Sequence, residues 1–268
     1  MENSKEKIHS VVSQIVFLVV LLAAWELTAK AHLFGNSSEL VFPPLEKIAE
    51  AFVNNFKYGY AGMSFWVYIL NSMKLLLLGL VIGILLSILF SSFAIVCKTF
   101  NYIYNSIVSI CDLLPGIALL PIIIIIFGIK PAVIVFLVVH AVIWPMSRNI
   151  LDGFRAVPRI YVEAGMNIGL KGFSLLTGVY IPAAFSFIIS GLKVSWARAW
   201  RGLISAEMIF GIVSCPGIGL YINQMRTNMR NAEMYATLIV IILIGVIVQY
   251  GVLMPIEKYT VKRWGMTK

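Results

Sequence analysis

The ionisable side chains that could do chemistry fall in two places in this sequence. Glu163 lies in a polar, glycine-containing stretch between two apolar runs, whereas Lys193, Arg198, Arg201 and Glu207 lie within or at the edge of a single long apolar run. No catalytic nucleophile with a base, no Cys-x-x-Cys pair and no cysteine–histidine cluster accompanies them. The sequence therefore predicts groups that bind, steer or gate charged partners, and it predicts neither an enzyme nor a metal site.

The elements that position these groups must lie in a membrane. Of the 268 residues, 60% are hydrophobic and 12% are charged, against about 25% charged in soluble domains. The net charge of +9 would suggest a nucleic-acid partner in a soluble protein. Here the charges lie between apolar runs, so the positive-inside rule explains them better. We predict an all-α membrane protein whose partner is the lipid bilayer, with no nucleic acid.

The chain divides by composition into four segments. Residues 1–33 are a tail and first transmembrane helix, about 11–33; a cleaved signal peptide is the alternative. Residues 34–62 are an extracytoplasmic loop with an amphipathic helix at the membrane interface. Its apolar positions recur at three- and four-residue steps: Leu45, Ile48, Ala49, Phe52 and Phe56. Residues 63–256 are a core of five spans, and 257–268 are a cytoplasmic tail.

Six transmembrane helices are expected in total. Besides the first, the apolar blocks are about 63–96, 100–128, 131–150, 174–212 and 234–256. Two of them exceed the roughly 20 residues that cross a bilayer, so these must be tilted, extended or broken. Pro115, Pro121 and Pro131 predict breaks in the middle of the protein, and Gly191 or Gly202 could break the block at 174–212. Such breaks are tolerated where the backbone faces protein or a watery cavity.

Basic residues predict the orientation of the spans. With both termini in the cytoplasm, eleven basic residues lie inside and six lie outside, which favours this N-in, C-in topology. The inner set is Lys5, Lys7, Lys98, Arg148, Arg155, Arg159, Lys171, Lys258, Lys262, Arg263 and Lys268. The outer set is Lys30, Lys47, Lys57, Lys130, Arg226 and Arg230.

The topology places the segment 151–173, with Glu163, in the cytoplasm. Pro158 suits the first position of a short helix, and Gly169 can end that helix in a left-handed conformation. Ser174 can cap the helix that re-enters the membrane. Ala164 and Gly165 are small and would let a partner approach closely. The alternative is a solvated basic loop that only fixes topology.

The same segment carries a known pattern. Glu163-Ala164-Gly165, then Gly169, then Val179-Tyr180-Ile181-Pro182 resembles the EAA loop of ABC importer permeases, in which Glu-Ala-Ala is followed by Gly and by Ile-x-Leu-Pro. Gly165 departs from the second alanine. Glycine costs a helix roughly 1 kcal/mol against alanine, so this departure predicts a more mobile loop.

Other segments resemble the nitrate/sulfonate/taurine branch of that family. They are the proline-rich stretch from Pro115 to Ile129, the segment from Ala199 to Glu207 (AWRGLISAE) and the glycine turn Pro216-Gly217-Ile218-Gly219. The resemblance covers about residues 40–268. It implies a type I ABC importer permease fold in the cell membrane, a second permease copy as a homodimer, two cytoplasmic ATP-binding subunits and an extracytoplasmic solute-binding protein.

The resemblance also implies how ATP is used. No G-x-x-x-x-G-K-[ST] occurs in the sequence, so no cofactor is expected in this chain, and ATP and Mg²⁺ would bind the partner ATPase. The EAA loop would carry a coupling helix into a groove on that ATPase. The expected ATPase-coupling residues are Arg159, Tyr161, Val162, Glu163, Ala164, Gly165, Gly169 and Leu170.

Ionisable residues in or near spans are candidates for the translocation pathway or gate, because they are costly in lipid. With the residues around them, the candidates are Asp112, Pro115, Trp144, Met146, Lys193, Trp196, Arg198, Arg201 and Glu207. The alternatives stay open. Lysine and arginine can snorkel to headgroups while tryptophans anchor the interface, Asp112 can pair with Lys74 or Lys193, and His140 can hydrogen-bond a neighbouring helix.

The substrate is the least determined feature. Lys193, Arg198 and Arg201 favour a small anion of the sulfonate, taurine or nitrate kind, whereas Asp112 opposes this if it lines the path. A neutral vitamin precursor or another heterocycle remains an alternative. An ion-gradient-driven secondary transporter is an alternative of a different class, although such proteins usually show paired inverted halves, which this sequence does not display.

Overall fold

A computed structural model describes residues 4–31 and 38–262. Expectations for residues 1–3, 32–37 and 263–268, including the end of the first helix and the basic residues Arg263 and Lys268, lie outside the described residues. The described part is almost wholly helical, and its sole β-type pairing is the isolated bridge between Tyr60 and Met63. The all-α prediction is confirmed.

The helices follow one another with short connections. In chain order they are α1 Ser4–Lys30, α2 Ser38–Val41, α3 Leu45–Tyr58, α4 Phe65–Val96, α5 Lys98–Cys111, α6 Leu120–Phe127, α7 Pro131–Ala156, α8 Arg159–Asn167, α9 Gly172–Leu175, α10 Ile181–Ala183, α11 Phe185–Ile209, α12 Ile218–Thr227, α13 Asn231–Val248 and α14 Met254–Glu257. A 3₁₀ turn, Gly116–Leu119, precedes α6. Three π-helical turns, Leu176–Tyr180, Gln249–Leu253 and Lys258–Lys262, extend neighbouring helices.

Four helical stretches are long and apolar enough to cross a bilayer: His9–Lys30, Phe65–Val96, Pro131–Ala156 and Asn231–Thr260. Two further stretches are helix pairs that bend sharply, by 92° between Cys111 and Gly116 and by 71° at Ala184. Counting each bent pair as one span gives six, the predicted number, among the residues that the structure covers.

The bends have local causes. Pro115 disfavours a helical conformation for the residue before it, so α5 ends at Cys111 and a new helical segment starts at Gly116. The second break is not at Gly191 or Gly202, the two positions where the sequence allowed one. Residue Gly191 is packed against Asn149 and Met146 of α7, so the helix continues through it. The bend comes earlier, at Ala184, where a π-helical turn and Pro182 interrupt the ladder.

Two compact units make up the chain. The first comprises Met1–Trp66 and Tyr221–Val240. In it, α3 forms as predicted, but its buried face is Ile48, Ala51 and Asn55, and Ala49 is exposed. This face packs on Trp25 and on the first turns of α13. The amphipathic helix therefore has a protein neighbour, and its place at the membrane interface stays a prediction.

A buried amide holds this first unit together. Asn55 Nδ2 donates to Thr237 Oγ1 and to the Glu233 carbonyl, both at 3.2 Å, and Asn55 Oδ1 accepts from the Tyr221 hydroxyl at 2.6 Å. A polar residue in an amphipathic pattern is normally assigned to the solvent-facing side of the helix, so the sequence did not predict that Asn55 is buried. Its partners lie more than 160 residues away in the sequence.

We expect Asn55→Ala to destabilise the protein by about 1–3 kcal/mol, because it leaves buried polar partners without a hydrogen bond. The measurement is the thermal unfolding midpoint of the detergent-solubilised chain. Asn54→Ala is the matched control, since Asn54 is the partly exposed neighbour on the same helix. Equal midpoints for the two variants would contradict the assignment.

The second unit comprises Val67–Leu220 and Ile241–Lys268, and α7 and α11 form its centre. The two helices approach closely because Gly153 of α7 faces Phe187 and Ala184, and Gly191 of α11 faces Asn149 and Met146. Small residues at such crossings allow tight helix packing in a membrane. Helix α7 runs to Ala156, six residues beyond the predicted end at residue 150. Residues 151–156 of the predicted loop therefore continue α7, and Arg148 lies on the same helix.

Candidate coupling loop and translocation cavity

The short helix α8 carries the EAA pattern. Its first residue is Arg159, and Pro158, expected as the first residue, lies just before it with an extended backbone. Gly169 ends the helix with φ +86°, as predicted, and the Leu170 N–H donates to the Gly165 carbonyl at 3.0 Å. Pro158 and Gly169 thus mark the two ends of α8, and both can be located in the sequence.

Apolar side chains of α8 and its flanks are exposed. Ile160 is 70% exposed, Ile168 78% and Phe173 76%, and Glu163 lies exposed on the same short helix. Of the other predicted coupling residues, Arg159, Tyr161 and Ala164 are exposed, and Val162 and Leu170 are half-buried. Ile160, Glu163 and Ile168 lie outside the candidate spans. An exposed apolar surface around a charged residue is typical of a surface that binds another protein.

Gly165 is buried, unlike its neighbours on α8. A Cβ atom at this position would lie 2.9 Å from Leu175 Cδ1 and 2.9 Å from Val179 Cγ2. The small residue therefore allows α8 to pack on the following segment of its own chain, where a partner's approach had been expected. A groove of about 490 Å³ lies between α8 and this following segment, and its lining includes Tyr161, Gly165 and Pro182. The greater mobility of the loop that Gly165 implies stays a prediction.

We expect Gly165→Ala to reduce ATP-dependent uptake several-fold, because the added methyl group pushes α8 away from Val179. The double variant Gly165→Ala, Val179→Ala removes both γ-methyl groups of Val179 from the opposing side and should recover most of the activity. Uptake by the reconstituted complex is the measurement. Full activity in the single variant, or no recovery in the double variant, would contradict this packing role.

Ser174 supports the return into the membrane differently from the prediction. The helix α9 begins at Gly172, so Ser174 is its third residue and not its cap. Its hydroxyl accepts from the Lys171 N–H at 3.0 Å and donates to the Lys171 carbonyl at 2.8 Å. The hydroxyl still satisfies backbone groups at the helix start, which is the purpose that a capping residue serves.

A cavity of about 330 Å³ lies within the second unit, where α5 ends and the chain bends. Since a water molecule takes up roughly 30 Å³, it has room for about ten. Five of the predicted pathway residues line it: Asp112, Pro115, Trp144, Arg198 and Arg201. The sequence reasoning gave no cavity role to the other polar lining groups, Cys111, His140 and Ser205.

Asp112 is the centre of charge in this cavity. Its Oδ1 atom accepts a hydrogen bond from Arg198, and its Oδ2 atom lies 3.4 Å from Arg148 Nη2. The Asp112 side chain is only 10% exposed. The paired interpretation of Asp112 is thus supported, but the partners are not Lys74 or Lys193. Arg148, expected on the cytoplasmic side, lies on α7 beside this carboxylate.

Four of the predicted pathway residues do not line the cavity. Lys193 pairs with Glu257 at 2.9 Å. Met146 is buried in the core. Trp196 is buried and stacks on Trp200, so it does not anchor the membrane interface. Their positions on the sequence were compatible with a pathway, but each of these side chains is held in a contact away from the cavity lining.

Glu207, the fourth of these, is a buried structural group. Its carboxyl oxygens accept from Ser72 Oγ at 2.8 Å and from the Gly219 N–H at 3.0 Å, and Ser72 Oγ in turn accepts from the Ile218 N–H at 2.8 Å. A Cβ atom at Gly217 would lie 2.1 Å from Glu207 Oε1. Glu207 therefore holds the glycine turn against α4. Burial also raises the pKa of the Cys215 thiol in this turn, and Glu207 adds to the rise.

The sequence was compared with known protein families and curated proteins. The family described as "binding-protein-dependent transport system inner membrane component" matches residues 79–253. The chain belongs to this family. It is therefore a multi-pass inner-membrane permease component of an ABC importer, a system that also requires a binding protein and an ATPase.

Relatives of this permease cover nearly its whole length. It is 25% identical over 261 residues to a putative ABC transporter permease protein of Methanocaldococcus jannaschii, covering 97% of this chain and 94% of the relative. It is 24% identical to the taurine transport system permease protein of Escherichia coli (87% and 83% covered) and 25% identical to a nitrate import permease protein of Synechocystis (88% and 85%). These similarities confirm the predicted nitrate/sulfonate/taurine-like branch. The family match contains both α8 and the cavity.

Proposed function

We propose that this permease imports a small anion. The observation that carries the proposal is the charge in and around the cavity. Arg198 and Arg201 line it together with one carboxylate, that of Asp112, and Arg148 of α7 approaches the same carboxylate. Uncompensated positive charge at membrane depth favours an anion over a cation or a neutral heterocycle. The named solutes of the relatives, taurine and nitrate, support the same class.

Coupling to ATP is proposed to run through α8. Its exposed apolar side chains and Glu163 suit a groove on a separate ATPase subunit, and Gly165 ties α8 to the segment that leads into α11. A displacement of α8 would then reach α11, which carries Arg198 and Arg201. Two ATPase subunits and a second copy of this permease complete the proposed importer, with ATP and Mg²⁺ on the ATPase and no catalytic group in this chain.

The domain division is proposed in corrected form. The N-terminal segment and α3 form an accessory part outside the family match, and the core carries the cavity. The coupling segment is shortened to about 157–173 because α7 runs to Ala156. Both termini are proposed to lie in the cytoplasm, with α8 on the same side.

Reconstitution tests the proposed function directly. Liposomes that contain the permease, its ATPase and its binding protein should transport radiolabelled taurine or nitrate only when ATP is supplied. The ATP must be on the side of the membrane where the ATPase is bound. A neutral heterocycle such as a pyrimidine should not be accumulated. Uptake of the neutral solute alone would overturn the anion proposal, and uptake by this chain alone under an ion gradient would overturn the ATP-driven class.

A further inference from the structure

Two arginines hold the Asp112 carboxylate inside the cavity. Arg198 donates to Oδ1 and Arg148 approaches Oδ2 at 3.4 Å, each through one guanidinium nitrogen. A guanidinium group has five N–H donors in a fixed fork, so each arginine retains donors for a second acceptor. The site already binds one oxyanion, and that oxyanion belongs to the chain itself.

A third guanidinium group lies beside this pair. Arg201 also lines the cavity, three residues after Arg198 on α11, and residues at this spacing lie on neighbouring positions of a helix surface. Its Nε atom donates to the Ala197 carbonyl at 3.1 Å. Within the described ranges, no carboxylate forms an ion pair with Arg201 under 4.0 Å. The cavity therefore has binding capacity for an anion that Asp112 does not fill.

Asp112 lies on a non-helical connection, whereas Arg198 and Arg201 lie on a regular helix. Arg198 and Arg201 belong to a continuous helix of 25 residues. Asp112 lies on the short connection between two helical segments that bend by 92°, where Pro115 prevents a regular helix. Movement of this connection would shift Asp112 while the two arginines kept their places.

We propose that Arg198 and Arg201 form a subsite for a small oxyanion, and that Asp112 is a built-in competitor for it. This inference rests on the proposed import of an anion. The ligand class is a sulfonate, sulfate or nitrate group, whose several acceptor oxygens can receive two guanidinium forks. In the empty cavity Asp112 keeps Arg198 paired, which avoids an uncompensated charge in the membrane.

Competition from Asp112 should speed the release of the bound anion. When the solute's oxyanion enters, it takes donors from Arg198 that Asp112 otherwise uses. When the solute leaves, the carboxylate takes them back. Asp112 thus weakens equilibrium binding of the anion and favours its departure, which a transport site requires, since it must bind without retaining its ligand.

Cys111 provides a readout inside the same cavity. It is one of the three free cysteines and lies among the cavity-lining residues. With Cys97 and Cys215 replaced by serine, the full chain in detergent is treated with the neutral reagent methyl methanethiosulfonate. The rate of Cys111 modification is followed by mass spectrometry as sodium methanesulfonate is added at constant ionic strength. Dimethyl sulfone, similar in shape but uncharged, is the matched control ligand.

Methanesulfonate should slow the modification of Cys111 and dimethyl sulfone should not. In Asp112→Asn the half-protecting concentration of methanesulfonate should fall about tenfold, since a like charge no longer competes at the site. Glu257→Gln removes a carboxylate from the Lys193 ion pair, away from the cavity-lining residues, and should leave that concentration unchanged. An unchanged or higher value in Asp112→Asn would overturn the competitor role.

Arg201→Gln keeps the inference testable if Asp112→Asn does not fold, because it leaves the Asp112 ion pairs in place. It should raise the half-protecting concentration about tenfold or abolish protection. Full protection in this variant, or equal protection by dimethyl sulfone, would overturn the subsite. Neither measurement uses the ATPase or uptake. Anion protection without taurine or nitrate uptake would thus contradict the proposed function alone, whereas uptake without protection would contradict the subsite alone.

Discussion

Glu163→Lys should abolish ATP-driven uptake, with at least a tenfold loss. The exposed carboxylate lies on α8 among exposed apolar side chains, and reversal of its charge places a cation where the ATPase is proposed to bind. A wrongly placed charge in an interface costs several kcal/mol, which exceeds the roughly 1.4 kcal/mol that corresponds to a tenfold change. Uptake in liposomes and co-purification of the ATPase subunit are the measurements.

Glu50→Lys is the matched control for this variant. Glu50 is also an exposed glutamate on a short helix, but it lies on α3, far in sequence from the coupling segment. Its reversal should leave uptake and ATPase retention within twofold of the unmodified protein. If Glu163→Lys retained full uptake and a bound ATPase, α8 would not be the coupling element.

Among the glycine-to-alanine substitutions in the second unit, Gly217→Ala should lower the stability of the protein most. The new Cβ would lie 2.1 Å from Glu207 Oε1, and the carboxyl group cannot retreat without losing Ser72 and the Gly219 N–H. Overpacking of this kind costs about 3 kcal/mol, which corresponds to a fall of roughly 6–12 °C in the unfolding midpoint. A thermal scan of the detergent-solubilised chain measures it.

Two further variants define the cause. Gly245→Ala is the control, because its Cβ would meet Trp200 Nε1 at an ordinary 3.6 Å, and it should leave the midpoint nearly unchanged. In the double variant Gly217→Ala, Glu207→Ala the clash is absent, so the double variant should be no less stable than Glu207→Ala alone. Additive losses in the double variant would show that the turn, and not its contact with Glu207, is sensitive.

Local features of the sequence predicted much of this protein. Hydropathy gave the spans to within a few residues, and Pro115 predicted the bend after α5 because proline acts on the residue next to it. The start of α8 was predicted to within one residue from Pro158, and its end from Gly169, which adopts the left-handed conformation. The spacing from Glu163 to Pro182 indicated the family, which the match to residues 79–253 confirms.

Predictions that depended on long-range geometry were less successful. Glu207 and Arg201 were both predicted to lie in the pathway or gate, but Glu207 is buried against Ser72, 135 residues earlier in the chain. Arg201 reaches the cavity because α11 presents it there. The sequence left open a break at Gly191, but a glycine in a membrane helix can serve a close helix crossing as readily as a bend. Only the positions of Met146 and Asn149 distinguish the two.

The sequence by itself determined the class of this protein: an all-α inner-membrane permease with a polar segment between apolar runs. Hydrophobicity, proline, glycine and motif spacing all act over a few residues. The tertiary structure alone decided which charges meet. Asp112 could have paired with any of several cations, and the choice of Arg198 and Arg148 depends on how α5, α7 and α11 pack. Those pairings separate the cavity that we propose for anions from the buried carboxyl group that supports the glycine turn.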